Sequence, residues 1–387
     1  MPVNGSVFFH ISVGNNDEVV INSMAGEINQ KNWSDVPELV AFNVTNKCNL
    51  RCTYCFQSQA GDHNQDASLG EIISVLDELN SFGVAEVLLE GGEIFVLPDI
   101  HEILFRLQKY KFRAHLITNG TLINDELAEL LAETGVSIGV SLDGPTPAYN
   151  SHRGGKGVFY QALDAVKLLA AKEVPVYVNC TVTVENADVI EELIDLSARL
   201  GADGIVLQQL HCSGRADRNY YREHFLTLDQ SLKLKKVFTE AKIHYPTMDF
   251  VESEIFDWVN IPDRFMNTCD PALRYKPMKL FRCAAGRKFC VIKSNLDVIL
   301  CGILEEYSCG NLREKSFREI WSSSERLHFI RNLSEKRVDQ IPGCKDCPYN
   351  PICDGGCRGD AFNYSGDWLA VHLCCPYRDR NESRLCK

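Results

Sequence analysis

Between residues 38 and 210 strand-like and helix-like segments alternate, with short loops between them, and that alternation restricts the fold more than any other feature. Apolar, β-branched runs fall at ELVAFNVT (38–45), VAEVLLE (84–90), FRAHLIT (112–118), VSIGVSL (136–142), PVYVNCTV (175–182) and GIVLQQL (204–210). Helical spacing occupies SLGEIISVLDELNSFG (68–83), DIHEILFRLQKY after Pro98, NDELAELLAETG (124–135), GVFYQALDAVKLLAAKE (157–173) and ADVIEELIDLSARLG (187–201). Ser68 and Glu71 make a capping box for the first helix, and Gly83 stops it. Strands alternating with helices predict one parallel sheet covered by helices. Active sites of such folds sit at the carboxyl edge of the strands. Polar or special residues gather at those ends: Thr45 onward, Gly91-Gly92-Glu93, Thr118-Asn119-Gly120, Ser141 and Asp143, and His211-Cys212. A single crevice lined by all six loops is expected.

At 387 residues the chain exceeds one ordinary domain, which predicts a main domain with an appended module. A hydrophobic share of 45% with 24% charged residues suits a soluble globular chain, and no run of about 18 apolar residues exists to span a bilayer. The start, MPVNGSVFFHISVGNNDEVV, lacks the basic segment and long apolar core of a secretory signal, so a cytoplasmic location is expected. A net charge of -12 argues against nucleic acid as a partner, and no membrane partner is expected. Seventeen cysteines are the outstanding compositional fact; five fall in residues 1–268 and twelve in residues 269–387. Cytoplasmic thiols are held reduced, so these predict metal rather than disulfides, concentrated in a C-terminal module.

CNLRCTYC (48–55) carries Cys48, Cys52 and Cys55 on one short stretch. Such spacing lets a loop wrap several thiolates around one inorganic centre, the usual trace of an iron–sulfur cluster. Zinc is the alternative, although structural zinc normally closes its shell with four ligands.

The same stretch, with Tyr54 before the last cysteine, resembles the C-x3-C-x2-C motif of radical S-adenosylmethionine (SAM) enzymes. The likeness covers about residues 37–245, and further motifs follow in the family's order: Gly91-Gly92-Glu93, Thr118-Asn119-Gly120, Ser141-Leu142-Asp143-Gly144 and His152-Arg153-Gly154. The resemblance implies an α/β fold, a partial (β/α)6 TIM barrel. In it the three thiolates would bind a 4Fe–4S cluster whose open iron chelates the amino and carboxylate groups of SAM. An electron from the cluster then breaks the sulfonium bond, and the 5′-deoxyadenosyl radical removes hydrogen from substrate. A flavodoxin- or ferredoxin-type donor is the implied electron source. The implied SAM contacts are Tyr54 against the adenine, Glu93 for the ammonium, Arg153 for the carboxylate, and Asn119 and Ser141 for the ribose or methionyl part. Gly91 and Gly92 would let the backbone approach the ligand.

Downstream of Cys283, Cys290 and Cys301 comes a denser array, Cys344-x2-Cys347-x5-Cys353-x3-Cys357, followed by Cys374-Cys375. Two four-ligand sites need eight thiolates, which this region offers; zinc is again the other chemistry. The spacing resembles the SPASM extension of some radical SAM enzymes, which carries two auxiliary 4Fe–4S clusters, and GNLREKSFREIW (310–321) fits its turn and amphipathic helix. By that family's crossed wiring, Cys283, Cys290, Cys301 and Cys357 hold the first auxiliary cluster, and Cys344, Cys347, Cys353 and Cys375 the second, making three clusters in all. Cys375 is chosen over Cys374 for its spacing from Cys357. Leu296 stands where the family usually has a glycine before Cys301, which puts Cys290 in question and allows an open iron in the first auxiliary cluster. The implied plan is a short N-terminal hairpin segment (1–36), the barrel (37–245), and a linker with the SPASM domain (246–387).

Of the other cysteines, Cys180 reads as a small buried hydrophobe, Cys269 and Cys309 as loop thiols or a replacement ligand, and Cys386 as tail. Cys212, just past the sixth strand, reads as a bystander thiol or as a hydrogen donor to a substrate radical, as in some peptide epimerases. SPASM enzymes mostly modify peptides or proteins, so the implied substrate is a ribosomally made precursor peptide. Thioether formation, carbon–carbon crosslinking and epimerisation are the implied reactions. Residues 1–36 look too short for a leader-binding winged-helix domain, so either a separate leader-binding protein or the barrel itself recognises the leader. Three alternatives remain. Anaerobic sulfatase maturases share the length and cysteine spacing but carry an aspartate base where this chain has Gly302, leaving Glu305 or Glu306 to substitute. Enzymes of modified-haem biosynthesis share the barrel and extension. A non-catalytic iron–sulfur carrier would not need Gly91-Gly92-Glu93 or Arg153.

Overall fold

The computed structural model describes residues 32–57, 66–253, 283–347, 349–351 and 353–376. Most of the N-terminal hairpin segment, together with Cys269 and Cys386, lies outside the described residues. Six parallel strands form where the alternation placed them: β1 (Leu39–Thr45), β2 (Glu86–Gly91), β3 (Arg113–Thr118), β4 (Ser137–Ser141), β5 (Val176–Val182) and β6 (Gly204–Gln209). They pair in chain order. Helices α1 (Leu69–Phe82), α2 (Ile100–Leu107), α3 (Asp125–Thr134), α4 (Val158–Ala171) and α5 (Ile190–Leu200) connect them.

Helix α1 shows why the pattern folds this way. The Ser68 hydroxyl accepts from the Glu71 amide, while the Glu71 carboxylate accepts from the Ser68 amide at 2.9 Å. Gly83 ends the helix in the left-handed conformation its missing side chain permits. Ile72, Val75, Leu76, Leu79 and Phe82 make one buried face in the core that also holds Val40, Phe42 and Val44 of β1. Burying each such side chain contributes about 2 kcal/mol.

The sheet continues past the expected barrel boundary at 245. After α6 (Arg218–His224) and α7 (Leu228–His244), β7 (Asp249–Ser253) pairs parallel to β6. On the opposite edge β8 (Phe289–Ile292) pairs parallel to β1, and β9 (Asp297–Ile299) and β10 (Ser308–Asn311) follow in antiparallel register. The ten strands run in the order β10-β9-β8-β1-β2-β3-β4-β5-β6-β7. In the β8–β9 turn Leu296 adopts φ 70°, the left-handed region that favours glycine, with its side chain buried.

Among the described residues three α-helices complete the C-terminal module: α8 (Phe317–Ser323), α9 (Glu325–Leu333) and α10 (Arg358–Ser365). Helix α8 docks on α1, with the Phe317 ring 5.9 Å from Phe82 and the Phe317 amide donating to Glu78 at 2.6 Å. Arg313 pairs with Glu71 at 2.7 Å beside them. The module is thus welded to the barrel through both a shared sheet and a helix pair. No helix among the described residues is long and apolar enough to cross a membrane.

The concave face of the sheet has two levels. Leu39, Ala41, Leu88, Val291 and Ile299 form an apolar floor. Near the carboxyl ends, strand register aligns Asn43 with Glu90, Ser141 with Asn179, and Thr181 with Gln208, all on that same inward face.

Candidate active site

Residues 46–57 leave β1 without forming a helix or strand, so their shape comes from what grips them. From β2, the Gly92 amide donates to Thr45 O and the Glu93 amide to Lys47 O, both at 2.8 Å. A Cβ on Gly91 would stand 2.3 Å from Thr45 O, and one on Gly92 2.2 Å from Lys47 O. The two glycines therefore let the end of β2 lie directly against the backbone that leads into the cysteines. From beyond β3, Asn119 Nδ2 donates to Asn49 Oδ1 at 2.8 Å, and Asn49 Nδ2 donates to Thr121 Oγ1 at 2.8 Å. After β4, His152 O accepts from the Thr53 amide at 3.0 Å. After β6, Arg215 donates from Nε to Cys52 O at 2.6 Å and from its amide to Cys55 O at 3.0 Å. Nothing in the sequence spacing marks Arg215 for this task.

Two buried carboxylates set the strand ends that do the gripping. Glu93, 1% exposed, accepts from Thr118 Oγ1 and the Asn119 amide at 2.7 Å each, and from the Phe95 amide at 3.2 Å. Burial pushes its carboxyl up, against those donors. Asp143, fully buried, accepts from the Tyr54 hydroxyl, Arg153 Nη2 at 2.6 Å and the Thr181 amide at 3.0 Å, with His152 Nε2 at 2.8 Å. Burial alone would raise this carboxyl, but the Arg153 guanidinium and His152 hold it below the usual carboxylate range. Burial likewise opposes the Arg153 charge, and Asp143 more than offsets it. The Tyr54 ring packs 4.9 Å from the His152 ring, with the Arg153 guanidinium 5.9 Å from its centroid. Sequence spacing named Tyr54 and Arg153 separately; the carboxylate that joins them emerges only from the fold.

The thiols of Cys48, Cys52 and Cys55 lie within electrostatic reach of one another. As free thiols they are pushed up by burial, Cys55 to about 11. Coordination reverses this, because a metal-bound thiol is deprotonated outright. The Leu50 amide donates to Cys48 Sγ at 3.3 Å. The same two-residue bond recurs from Ala285 to Cys283 at 3.4 Å and from Gly355 to Cys353 at 3.3 Å, and the Asp360 amide reaches Cys357 Sγ at 3.4 Å. Amide bonds to sulfur stabilise thiolate character and tune a cluster.

In the C-terminal module, burial and the neighbouring Asp354 push the Cys353 thiol up, and Cys375 and Cys344 lie within its electrostatic reach. Adjacent Cys374 goes elsewhere, into an apolar cluster with Leu210, Cys212, Ala216 and Tyr221. Cys212 is only 7% exposed in that cluster, its thiol raised to about 11 by burial, so the structure packs it away from the surface a substrate could reach. Cys290 sits on β8 opposite Val40 and is wholly buried; burial pushes its thiol far up, with the Cys309 thiol and the Arg331 guanidinium as its titratable neighbours. Cys301 is half-buried beside the same core. A Cβ on Gly302 would stand 2.8 Å from the Phe56 ring, so the cysteine loop packs against this position.

The model of the radical SAM superfamily matches residues 42–197. This chain is a radical SAM enzyme. A second model, SPASM, an iron–sulfur cluster-binding domain, matches residues 283–348, so the radical SAM enzyme carries a SPASM domain as well. It is 29% identical over 361 residues to the AdoMet-dependent heme synthase of Methanosarcina barkeri, covering 89% of this chain and 98% of that protein. It is 28% identical over 340 residues to the mycofactocin maturase MftC of Mycobacterium tuberculosis, covering 85% and 80%. Its fold matches Streptococcus suis SuiB bound to precursor peptide SuiA with a TM-score of 0.72 at 19% identity, covering 92% of this chain and 77% of that one. A radical SAM enzyme with a SPASM domain works with a 4Fe–4S cluster, SAM and auxiliary iron–sulfur clusters.

Proposed function

We propose that this radical SAM enzyme modifies a ribosomally made peptide by thioether formation, carbon–carbon crosslinking or epimerisation. The donor sets fit three clusters. Cys48, Cys52 and Cys55 hold the one that takes SAM, with thiols in mutual reach and a gripped loop around them. Cys344, Cys347, Cys353 and Cys375 hold one auxiliary cluster, and Cys283, Cys301 and Cys357 serve the other. When bound, the first cluster and SAM would supply the radical chemistry that abstracts hydrogen from a substrate. Around it the chain's own side chains do the holding. Asn119 and Ser141 stand at adjoining strand ends for SAM, whereas Glu93, expected to take the SAM ammonium, is buried and bonded to Thr118 and the Asn119 amide, so it sets the strand end that carries Asn119. Arg153, kept charged by Asp143, offers a planar fork for its carboxylate, and the Tyr54 ring flanks the adenine.

The observation that carries the peptide is the chemistry of the inward strand ends. Asn43, Asn179, Gln208 and Thr181 offer amides and a hydroxyl, which pair with peptide N–H and C=O groups; Ser141 beside them is kept for SAM, and Glu90 is the one ionisable group among the six. A tetrapyrrole bearing several carboxylates would need cations there, and none of these six positions supplies one. Tetrapyrrole oxidation is the second reading, favoured by the relation to the heme synthase over 98% of that protein. Oxidation of the sulfatase-maturase kind is disfavoured by Gly302, which offers no carboxylate base after Cys301.

The test is anaerobic reconstitution, reduction and incubation with SAM and a synthetic candidate precursor peptide. We expect 5′-deoxyadenosine, together with a peptide that has lost two hydrogens or has kept its mass and taken up solvent deuterium. Formation of 5′-deoxyadenosine with an iron porphyrin and not with the peptide would transfer the assignment to the second reading. SAM left intact by the reduced, iron-loaded protein would remove both.

A further inference from the structure

We infer that His211 is the nitrogen ligand completing the auxiliary cluster of Cys283, Cys301 and Cys357, a position the sequence resemblance gave to Cys290. The inference rests on the cluster assignment above and is independent of the substrate. It begins at the start of α10. Cys357 caps this helix, its sulfur accepting from the Asp360 amide at 3.4 Å, so thiol and carboxylate are held side by side. Asp360 is fully buried. Its Oδ1 accepts from the Cys212 amide at 2.9 Å, and its Oδ2 lies 3.0 Å from His211 Nδ1. A ring nitrogen of His211, the sulfur of Cys357 and a carboxylate oxygen of Asp360 all lie within 4.8 Å of one another.

A histidine that binds metal almost always gives its other ring N–H to a carboxylate or carbonyl, which fixes the tautomer and raises the basicity of the ligating nitrogen. Asp360 is placed to do this for His211: with the proton on Nδ1, the lone pair lies on Nε2. The surrounding backbone is tied to the same place. Asn363 of α10 donates to Cys212 O at 3.0 Å and to Ile303 O at 2.7 Å, drawing together the segment after β6, the segment after Cys301 and the helix that begins at Cys357. Cys290 is placed otherwise. It is a strand residue on β8, wholly buried in the core that also holds Ile292, with the Cys309 thiol and the Arg331 guanidinium as its titratable neighbours. A ligand set of three thiolates and a neutral imidazole carries one negative charge fewer than four thiolates. Such replacement raises a cluster's potential.

The test uses full-length protein grown with 15N-histidine, reconstituted anaerobically and reduced, with hyperfine spectroscopy of the cluster signals as the readout. A 15N coupling is expected in the wild type, lost in His211→Ala and kept in Cys290→Ala, which should retain the wild-type iron and sulfide content. Should His211→Ala lose the cluster altogether, His211→Cys decides: it should hold full iron without the coupling, at a more negative midpoint potential. Full iron with no histidine coupling in the wild type would overturn the proposal while leaving the clusters standing. So would a coupling that survives in His211→Ala, or loss of this cluster in Cys290→Ala. Failure of the wild type to bind iron beyond the first cluster would instead overturn the cluster assignment itself.

Discussion

Replacing Gly92 with alanine tests whether the glycine pair serves the cysteine loop. The new Cβ would stand 2.2 Å from Lys47 O, 2.5 Å from Lys47 C and 2.8 Å from Asn46 O, all backbone atoms that cannot rotate aside. Relief requires the loop to retreat by about 1 Å, since non-bonded carbon contacts settle near 3.5 Å. That retreat stretches the bonds from the Gly92 and Glu93 amides to Thr45 O and Lys47 O, now 2.8 Å each. Overpacking costs about 1–3 kcal/mol, and two weakened hydrogen bonds add about 1 kcal/mol each. The sum, about 3–5 kcal/mol, lowers the melting midpoint by roughly 4–6 °C in a chain of this size. It also moves Cys48, the next residue after Lys47. The assay is iron and sulfide per chain after anaerobic reconstitution, beside the melting midpoint. Gly70→Ala is the control, because a Cβ there meets nothing within 4 Å and a helical alanine contributes about 0.5–1 kcal/mol of stability. Gly92→Ala with wild-type iron and an unchanged midpoint would refute the account.

Further outcomes follow from the same geometry. Burial raises the Glu90 carboxyl to about 7, so the folded state binds this proton more tightly than the unfolded chain, and stability falls as pH rises between the ordinary carboxylate range and 7. Glu90→Gln should therefore melt higher than wild type above pH 7, by at most about 3 kcal/mol, with the gain fading toward pH 5; a gain independent of pH counts against this. Asp143→Asn strips the buried Arg153 of its counter-charge and should cost about 3–5 kcal/mol in denaturant titrations, and a loss below 1 kcal/mol would show Arg153 paired elsewhere. Leu296→Gly relieves about 1 kcal/mol of left-handed strain but surrenders a buried leucine worth about 2–3 kcal/mol, for a net loss that thermal melting can read; a stabilised variant would reverse that ranking.

The six strands were legible because each is a short apolar run framed by turns, and the helices because their buried faces recur at helical spacing. Strand β7, DFVES, was not, since it holds only two apolar residues and follows a helix directly. Strands β8 to β10 were hidden for another reason: FCVI, DVI and SCGN are too short to show a period, and their pairing is set by β1 far upstream. The three cysteines proposed as ligands were readable as a spacing on one loop, where sequence distance and spatial distance agree. Asp143 with Tyr54, Arg215 with Cys52, and Asp360 with His211 join residues 89, 163 and 149 positions apart, and only the closed fold creates such pairs. Leu296 lies between these cases. The sequence flagged it as standing where a glycine is usual, and the left-handed φ supplies the reason while its burial shows what a leucine gains there.

A loop without secondary structure, carrying three thiolates, can hold them in one geometry only if distant elements oppose its freedom. Here the grip comes from the ends of four strands, so the loop is ordered by the barrel rather than by its own sequence. Several motif residues then have a double position. Gly91 and Gly92 admit the β2 backbone to the loop, Asn119 ties β3 to Asn49, and the segment that carries Arg153 bonds Thr53 next to Cys52. Each is a residue proposed for SAM and also one that sets the cysteines. A substitution at any of them disturbs both, and a drop in activity alone cannot separate the two roles. Iron content can: a residue that only touches SAM leaves the iron in place when changed, whereas one that grips the loop does not.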